Sequence, residues 1–352
     1  MKRPLSYAEA LCEGLDVCLD ADPRVIVCGL GVPDPKGIFG STSGLHAKYG
    51  PQRVMDMPLS ENAMTGILIG AALTGMRPVI THQRVDFALT AMEQMVNQAA
   101  KWHYMFNGKH RVPLVIRMVV GRGWGQGPQH SQSLQAMFGH VPGLKVVMPT
   151  TAHDAKGMLI GAVADDNPVI MLEHRWLYGI QDDVPEGTYT VDIERARVMH
   201  EGGDITIVAT SYMSLVAMRA ATALSEAGVG VDLIDLRSVR PLDTDTILAS
   251  VAKTGRLLVV DTAHLQYGVT AEILALASER AFDKLRAAPQ RMGLPDYPTP
   301  TSPALAENYY PRAQQIAETA LKILGQAPDK VFIAEPNRQW LDQPDPSFTG
   351  PF

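Results

Sequence analysis

The chain has 352 residues, of which 46% are apolar and 19% are charged, and its formal net charge is −6. This composition is ordinary for a globular protein, and the length suits two domains of about 150 residues each. The absence of a long basic run argues against a nucleic-acid surface, and no apolar stretch is long enough to span a membrane. Three cysteines without a CxxC pair favour neither a disulfide framework nor a zinc site, so we expect a reducing, cytoplasmic compartment.

Apolar runs alternate with helical patterns through the first half of the chain. The predicted strands are 24–32, 77–82, 112–121, 144–149 and 168–174. The predicted helices are 66–75, 86–105 and 152–165. Because continuous Val, Ile and Leu runs are separated by helices, the pattern predicts a parallel sheet that is covered on both faces.

A polar segment rich in Gly, Pro and Asp leads to a second alternating block. Its predicted strands are 204–210, 231–238 and 256–262, and its predicted helices are 213–227, 243–253, 269–282 and 309–324. We expect Asp243 to cap the helix that begins after Pro241. The sequence therefore predicts an α/β fold with two parallel-sheet domains, whose boundaries are 1–180 and 204–326, with a linker at 181–203 and a tail at 327–352.

Glu61 begins the ENAMTG part of MPLSENAMTG (57–66), a run that is otherwise apolar or small. Ser60 could cap a helix there, and the helix dipole would stabilise an acid in the first turn by about 0.3–1 kcal/mol. The alternative is functional. The neighbours that suggest a helix buried almost all round are Met57, Leu59, Ala63, Met64, Ile67 and Leu68, and Gly66 and Gly70 would let another backbone approach. A buried carboxylate must hold a proton or find a partner, which suits a proton relay.

The loop GRGWGQGPQHSQS (121–133) follows a predicted strand and leads to His130. Its glycines do not fit the dinucleotide pattern GxGxxG, because Gln126 stands where the last glycine belongs, and the GK[ST] ending of a phosphate loop is absent. Loops at the carboxyl ends of parallel strands line ligand crevices. His130 could therefore act as an acid, a base or a donor, or it could simply bond to backbone.

THQRVDF (81–87) places polar side chains where a buried strand would normally stay apolar. His82, Gln83 and Arg84 therefore face either a ligand or water. The other histidines show no metal-ligand spacing, so the sequence suggests no histidine metal site.

Long segments of the chain, in this order, resemble one family. They include GQGPQHSQSLQAMFGHVPGLKVVMPTTAHDAKG, DNPVIMLEHRWLYG and VDLIDLRSVRPLDTDTI, and before them AMEQMVNQAAKWHYM. The chain resembles the beta subunit of the thiamine-diphosphate-dependent decarboxylating component of 2-oxo acid dehydrogenase complexes, over about residues 5–325. That subunit is similar to the second and third domains of transketolase. The resemblance implies a pyrimidine-binding domain followed by a transketolase C-terminal-type domain.

The resemblance also implies roles for individual residues. Glu61 would hydrogen-bond the aminopyrimidine ring of thiamine diphosphate and promote the imino tautomer that takes the C2 proton. Leu59 and Phe87 would contact that ring, and His130 would orient or protonate substrate-derived intermediates. The positions that match a structural potassium site, chiefly through backbone carbonyls, are Leu114, Ala162, Val163, Asp165 and Asn167.

One family motif is missing from the chain. The diphosphate and its Mg²⁺ ion are held in the family by a GDG…N motif, and no GDG occurs here. The resemblance therefore implies an alpha subunit that carries this motif, an α2β2 heterotetramer with the cofactor at the interface, and a chain that is catalytically incomplete alone.

Three departures from the family bear on the reaction. First, GLG (29–31) replaces a GED-like motif, so the acid thought to connect paired sites is missing. Second, His82, Gln83 and Arg84 would suit a polar, anionic substrate. Third, the C-terminal tail extends beyond the usual end of the family. The leading hypothesis is decarboxylation of a 2-oxo acid with acyl transfer to a lipoyl acyltransferase. A split-transketolase-like or carboligating enzyme acting on a sugar-like substrate is one alternative. A non-catalytic assembly subunit is another, although Glu61 and His130 argue against it.

Overall fold

The computed structural model describes residues 3–122 and 125–335, and the chain divides into two compact units. The described part of the first unit comprises residues 3–121 and 137–193, and that of the second comprises residue 122 and residues 125–136 and 194–335. Of the predicted tail, residues 336–352 lie outside the described residues.

The first unit is built on a parallel sheet of buried Val and Ile residues. Its strands are β2 (Val25–Cys28), β3 (Val54–Met55), β4 (Arg77–His82), β5 (Val115–Val120), β6 (Lys145–Val147) and β7 (Val169–His174). They are arranged in the order β6-β7-β5-β4-β2-β3, and every pair among them is parallel. Strands β3 and β4 lie on opposite sides of β2, so the connection after β2 leads to one side of the sheet and the connection after β4 leads to the other. The carboxyl edge between β2 and β4 is thus a topological switch point, where open α/β sheets bind ligands.

Helices flank this sheet. They are α1 (Tyr7–Ala21), α2 (Leu45–Tyr49), α3 (Glu61–Leu73), α4 (Val85–Ala88), α5 (Trp102–Met105) and α7 (Ala152–Ala164), with 3₁₀ turns at Leu89–Ala91 and Arg175–Leu177 and a π-helix at Gln94–Ala99. A short helix, α6 (Gln135–Gly139), begins in the second unit and ends in the first. Helix α1 packs against α7, and a capping box begins it, since Glu9 N donates to Ser6 Oγ and the Glu9 carboxylate accepts from Ser6 N.

The long helix predicted at 86–105 is interrupted. The segment passes from α4 through a 3₁₀ turn into the π-helix at Gln94–Ala99 and then into α5. At the end of the π-helical stretch, Ala100 N donates to Met95 O at 3.1 Å, five residues back. Helical periodicity predicted the direction of the chain here, but not the change of hydrogen-bond pattern.

The second unit has a sheet of its own, which is mostly parallel. Its strands are β9 (Arg197–His200), β10 (Ile205–Ala209), β11 (Val231–Asp235), β13 (Leu257–His264) and β14 (Gln290–Leu294), in the order β14-β13-β10-β11-β9. Only β9 runs antiparallel to its neighbour among these described strands. Since β11 and β13 lie on opposite sides of β10, this sheet has a switch point between β10 and β13. With two such sheets, the predicted α/β fold class is confirmed.

The remaining elements of the second unit complete its layers. They are α8 (Tyr212–Glu226), β12 (Ser238–Arg240), α9 (Thr244–Thr254), α10 (Val269–Arg280), α11 (Pro303–Ala306) and α12 (Ala313–Ile323), with 3₁₀ turns at Phe282–Lys284 and Pro328–Lys330. Asp243 caps α9 as predicted, because its Oδ1 accepts from Thr246 N at 3.2 Å. Helices α8 and α12 pack together over the sheet through buried small residues, including Ala217, Ala220, Ala317 and Ala320.

The segment predicted to be a linker carries two short strands. Strand β8 (Gln181–Asp183) pairs antiparallel with β1 (Pro4–Ser6) in the first unit, and β9 pairs with β11 in the second. Neither strand was predicted from the polar sequence of the segment. Each has partly or fully exposed side chains and forms by pairing with a strand that is distant in sequence.

Candidate functional site

Two strand-end loops meet at the switch point of the first sheet. Strand β2 runs into Gly29, where an added Cβ atom would lie 2.5 Å from the Thr81 carbonyl, so only glycine fits without movement. Strand β4 runs into Gln83, whose Nε2 donates to the Leu30 carbonyl at 3.0 Å. The sequence segments GLG and THQR are therefore neighbours in space, at the position where such sheets bind ligands.

Gly31 is the last residue of the GLG segment. Its φ of +77° lies in the left-handed region, and its N–H donates to Asp56 Oδ1 at 2.9 Å. A Cβ on Gly31 would lie 3.1 Å from Asp34 Oδ2 and 3.2 Å from Gln83 Nε2. The carboxylate of Asp34 thus occupies the space that a side chain at position 31 would enter.

Glu61 is the first residue of α3, but the predicted burial of this helix is wrong for the chain alone. Glu61 is half-buried, while Leu59 is 77% exposed and Ile67 is 60% exposed. The buried residues of α3 are Thr65, Leu68, Ile69 and Ala72. The apolar pattern was correct, but it cannot tell whether the same chain covers the helix. Among the described residues of this chain, α3 and Glu61 are therefore only partly covered.

Two smaller expectations for this helix are also corrected. Ser60 occupies the N-cap position, yet its side chain makes no capping hydrogen bond. Gly66 is approached by the side chain of Gln94 rather than by backbone, and no atom of the described residues lies within 4 Å of a Cβ built on Gly70. The small residues therefore leave part of α3 open among the described residues.

Phe87 lies close to the helix that carries Glu61. It belongs to α4, which packs against α3, and it is half-buried. Leu59, Glu61 and Phe87 thus come from adjoining elements that follow the carboxyl ends of β3 and β4. A carboxylate that can accept a hydrogen bond, on adjoining elements that also carry two apolar side chains, has the chemistry needed to hold an aminopyrimidine ring.

The polar side chains after β4 are not on the surface. His82 is 3% exposed and Arg84 is 9% exposed, and Gln83 is half-buried. Burial lowers the pKa of the Arg84 guanidinium, an effect that the Asp86 carboxylate opposes. Of the two sequence interpretations, exposure to water is excluded for His82 and Arg84. A role in substrate binding stays a prediction.

The burial of His82 predicts a pH dependence of stability. Burial lowers the pKa of its imidazole from 6.5 to about 4, so between these values the unfolded chain binds the extra proton. Stability must then fall as pH falls through this window. Between pH 7 and pH 5, the wild-type chain should lose about 2 kcal/mol more than His82→Gln, measured by denaturant unfolding at both pH values. Equal losses of stability in the wild type and in His82→Gln would contradict the lowered pKa of His82.

The residues predicted to hold potassium are Leu114, Ala162, Val163, Asp165 and Asn167. Arg77 Nη1 donates to the carbonyls of Val163 at 2.9 Å and Asp165 at 3.0 Å. The Leu114 carbonyl accepts from Val169 N at 2.9 Å. A guanidinium therefore already satisfies part of the carbonyl cluster, and potassium binding stays a prediction.

His130 lies on a loop that belongs to the second unit. Arg122, at the start of the loop, lies over the Tyr310 ring, with Cζ 4.1 Å from the ring centroid. Gly127 has φ +69°, and a Cβ there would lie 2.5 Å from Thr301 Oγ1. His130 is half-buried, and its backbone N–H donates to the Gly127 carbonyl at 3.4 Å. None of the anchoring contacts could be inferred from the loop sequence.

Two negative findings apply to residues 3–122 and 125–335. No group of three or more His, Cys, Asp or Glu side chains is placed to hold a metal ion. No helix there has the length and apolar character needed to cross a bilayer.

Comparison with known families accounts for both units. Residues 3–181 match the family "Transketolase, pyrimidine binding domain". Residues 194–316 match the family "Transketolase, C-terminal domain". The order of the two matches is the order that the resemblance implied.

Similar proteins extend over almost the whole chain. Acetoin:2,6-dichlorophenolindophenol oxidoreductase subunit beta of Cupriavidus necator is 43% identical, with 92% of this chain and 98% of the relative covered. Pyruvate dehydrogenase E1 component subunit beta-2, mitochondrial, of Oryza sativa subsp. japonica is 40% identical, with 90% and 86% covered. A solved structure described as "Split gene transketolase, inactive beta4 tetramer" has a TM-score of 0.75 at 22% identity, covering 91% of this chain and 98% of that chain. At that identity the structural likeness shows the fold alone.

Proposed function

Because this chain belongs to the transketolase-like family that includes the beta subunits of pyruvate dehydrogenase E1 components and of acetoin:2,6-dichlorophenolindophenol oxidoreductases, we propose that it is the beta subunit of a thiamine-diphosphate-dependent 2-oxo acid dehydrogenase. It would decarboxylate a 2-oxo acid and pass the acyl group to a lipoyl carrier. The observation that carries the proposal is the half-buried Glu61 at the start of α3, which follows Leu59 and packs against the helix of Phe87, at the carboxyl edge of a parallel sheet.

The residues of this chain would prepare the site rather than form bonds themselves. Thiamine diphosphate, when bound, supplies a carbon nucleophile and an electron sink. Glu61 would hold a proton against the aminopyrimidine ring and exchange it there, which is general acid–base work. Leu59 and Phe87 would contact the ring and exclude water. His130 would orient the substrate and donate a proton on its side of the reaction.

The missing half of the site implies a partner. We infer that an alpha subunit supplies the diphosphate and Mg²⁺ ligands, since the chain lacks a GDG motif and its described residues contain no metal-binding cluster of acids, cysteines and histidines. Leu59 and Ile67, which are exposed here, would be covered in an α2β2 assembly. Their burial would exclude water around Glu61 and strengthen its hydrogen bonds. A lipoyl acyltransferase would accept the acyl group.

Potassium remains part of the proposal. A carbonyl oxygen has two lone pairs, so Val163 and Asp165 could bind an ion while still accepting from Arg77. Such an ion would tie the end of α7 to the start of β7.

The cysteines favour the cytoplasmic location that we propose. Cys12, Cys18 and Cys28 are free thiols, and burial raises the pKa of Cys28 to about 11. A thiol that stays protonated at neutral pH is a poor nucleophile, so Cys28 serves packing rather than chemistry.

A second candidate substrate is acetoin. The relatives from Cupriavidus necator and Bacillus subtilis, at 43% and 36% identity, are both named for acetoin. The split-transketolase and non-catalytic alternatives have weaker support, because the likeness to the split-gene transketolase chain is structural only.

Co-expression with the alpha subunit tests the function. The purified complex, loaded with thiamine diphosphate and Mg²⁺, would be assayed for dichlorophenolindophenol reduction with a series of 2-oxo acids and with acetoin. Release of CO₂ from a 2-oxo acid supports the main proposal, whereas acetaldehyde release from acetoin without CO₂ supports the second. Transfer of a two-carbon ketol unit between sugars, without release of CO₂ from a 2-oxo acid or of acetaldehyde from acetoin, would overturn both proposals.

His130→Ala is expected to separate two steps of the reaction. Because His130 acts on the substrate side, exchange of the cofactor C2 proton should stay within about threefold of wild type, while product formation falls about 10²–10⁴-fold. Proton exchange followed by NMR after rapid quenching, and steady-state turnover, measure the two quantities. Equal loss of both would contradict the assigned role.

A further inference from the structure

The far end of the His130 loop is fastened inside the second unit. Gln135, five residues after His130, is fully buried, and its Nε2 donates to Asp261 Oδ1 at 2.8 Å. Asp261 lies on β13 and is also buried. Both residues belong to the second unit, so the contact joins the loop to the sheet of that unit.

One carboxylate oxygen of Asp261, Oδ1, accepts three hydrogen bonds. Besides Gln135, Oδ1 accepts from the Thr210 hydroxyl and from Thr262 N at 2.7 Å. Thr210 directly follows β10, so the cluster lies at the switch point between β10 and β13. Oδ2 has no hydrogen-bond partner among the described residues. Asp261 therefore acts here as an acceptor at a single atom, which a neutral amide could reproduce.

The near end of the loop is fastened independently. The Arg122 guanidinium lies 4.1 Å from the Tyr310 ring centroid and 5.7 Å from that of Tyr212, and Gly127 lies against Thr301. His130 is thus placed between two anchored segments. A loop with both ends fixed holds a side chain in fewer orientations than a loop fixed at one end.

We propose that Gln135 and Asp261 are positioning residues that hold the loop carrying His130 in its reactive orientation. The catalytic consequence rests on the proposed function, whereas the anchoring itself does not. The competing explanation is that the contact only stabilises the fold, like other buried hydrogen bonds to aspartate in this unit.

The test uses Gln135→Met, which keeps the volume of the side chain but removes the amide. In the reconstituted complex, kcat should fall about 10- to 100-fold, because displacing a reactive group by about 1 Å has such effects. Cofactor C2 proton exchange should stay within about twofold, since it depends on Glu61. Asp261→Leu should behave like Gln135→Met, and Asp261→Asn should restore most of the activity lost in Asp261→Leu. Ser250→Ala, which removes a donor to the buried Asp232 elsewhere in this unit, is the matched control and should leave kcat unchanged.

A second measurement does not depend on catalysis. Hydrogen–deuterium exchange of the peptide spanning residues 125–136, in the full chain, should be at least about tenfold faster in Gln135→Met and in Asp261→Leu than in wild type, and unchanged in Ser250→Ala. Unchanged exchange in Gln135→Met would overturn the proposal, and so would proportional loss of C2 proton exchange and product formation. If the wild-type complex shows no turnover with any substrate, the proposed function fails, while the peptide exchange still decides the anchoring.

Discussion

Replacing Glu61 with Gln is expected to lower turnover of the reconstituted complex by roughly a thousandfold, within the 10²–10⁴ range of general acid–base catalysis. Gln has nearly the same shape as Glu and can still hydrogen-bond a ring, but its amide cannot exchange a proton with it. Cofactor affinity should therefore change by less than about tenfold, whereas C2 proton exchange and kcat fall together. Isothermal titration, NMR exchange and steady-state kinetics measure the three quantities.

The alternative, purely structural explanation of Glu61 is that it stabilises a helix N-terminus. A matched variant at another helix N-terminus distinguishes this explanation from the catalytic one. Glu272 lies in the first turn of α10 and is exposed. Glu272→Gln makes the same chemical change at a comparable position, and a helix-dipole contribution of about 0.3–1 kcal/mol should not alter kcat. Near-normal turnover in Glu61→Gln would remove the acid from the mechanism.

Much of the fold could be predicted because buried parallel strands have a strong pattern. The runs RPVITH and PVIMLEH correspond to β4 (Arg77–His82) and β7 (Val169–His174), within one residue at each end. The elements that escaped prediction have little apolar pattern or a distant partner. Strand β9 has exposed or half-buried side chains throughout, and its order comes from pairing with β11 more than thirty residues away.

The candidate site divides in the same way. The position of Glu61 in the first turn of a helix was predicted from the sequence, whereas the closeness of GLG to THQR became visible only with the order of the strands in the sheet. The exposure of Leu59 did not, because an apolar residue looks the same whether its own chain or another covers it. The contact between Arg77 and the Val163 carbonyl was equally hidden, since backbone acceptors leave no mark in a sequence.

A buried charged pair supports the carboxyl edge of the first sheet. Arg117 on β5 donates through Nε to Glu173 Oε1 at 2.6 Å and through Nη2 to Glu173 Oε2 at 3.0 Å. The same guanidinium donates to Ser41 Oγ at 2.9 Å, in the loop that follows β2. Tyr178 donates to Glu173, and burial together with the Glu173 charge raises the pKa of its phenol, which stays protonated. The network thus links β5, β7 and the loop after β2.

Glu173→Gln is expected to destabilise the chain by about 3–5 kcal/mol, because it leaves the fully buried Arg117 cation without its counter-charge. Burial alone would lower the pKa of Arg117, but attraction to Glu173 outweighs this and raises it; without Glu173, the cost of burial is not offset. A loss of this size is a large part of the 5–15 kcal/mol that usually separates folded from unfolded states. Denaturant unfolding, followed by circular dichroism, measures it.

Two further variants decide whether the effect comes from the unpaired charge. Arg117→Met combined with Glu173→Gln removes both charges, and it should be more stable than Glu173→Gln alone, because no buried ion is then left unpaired. Asp16→Asn breaks the exposed pair with Lys48 and should cost no more than about 1 kcal/mol. If the double variant is less stable than the single one, the pair is not held together by its charges, and the support of the carboxyl edge must come from packing around Ser41 and Tyr178 instead.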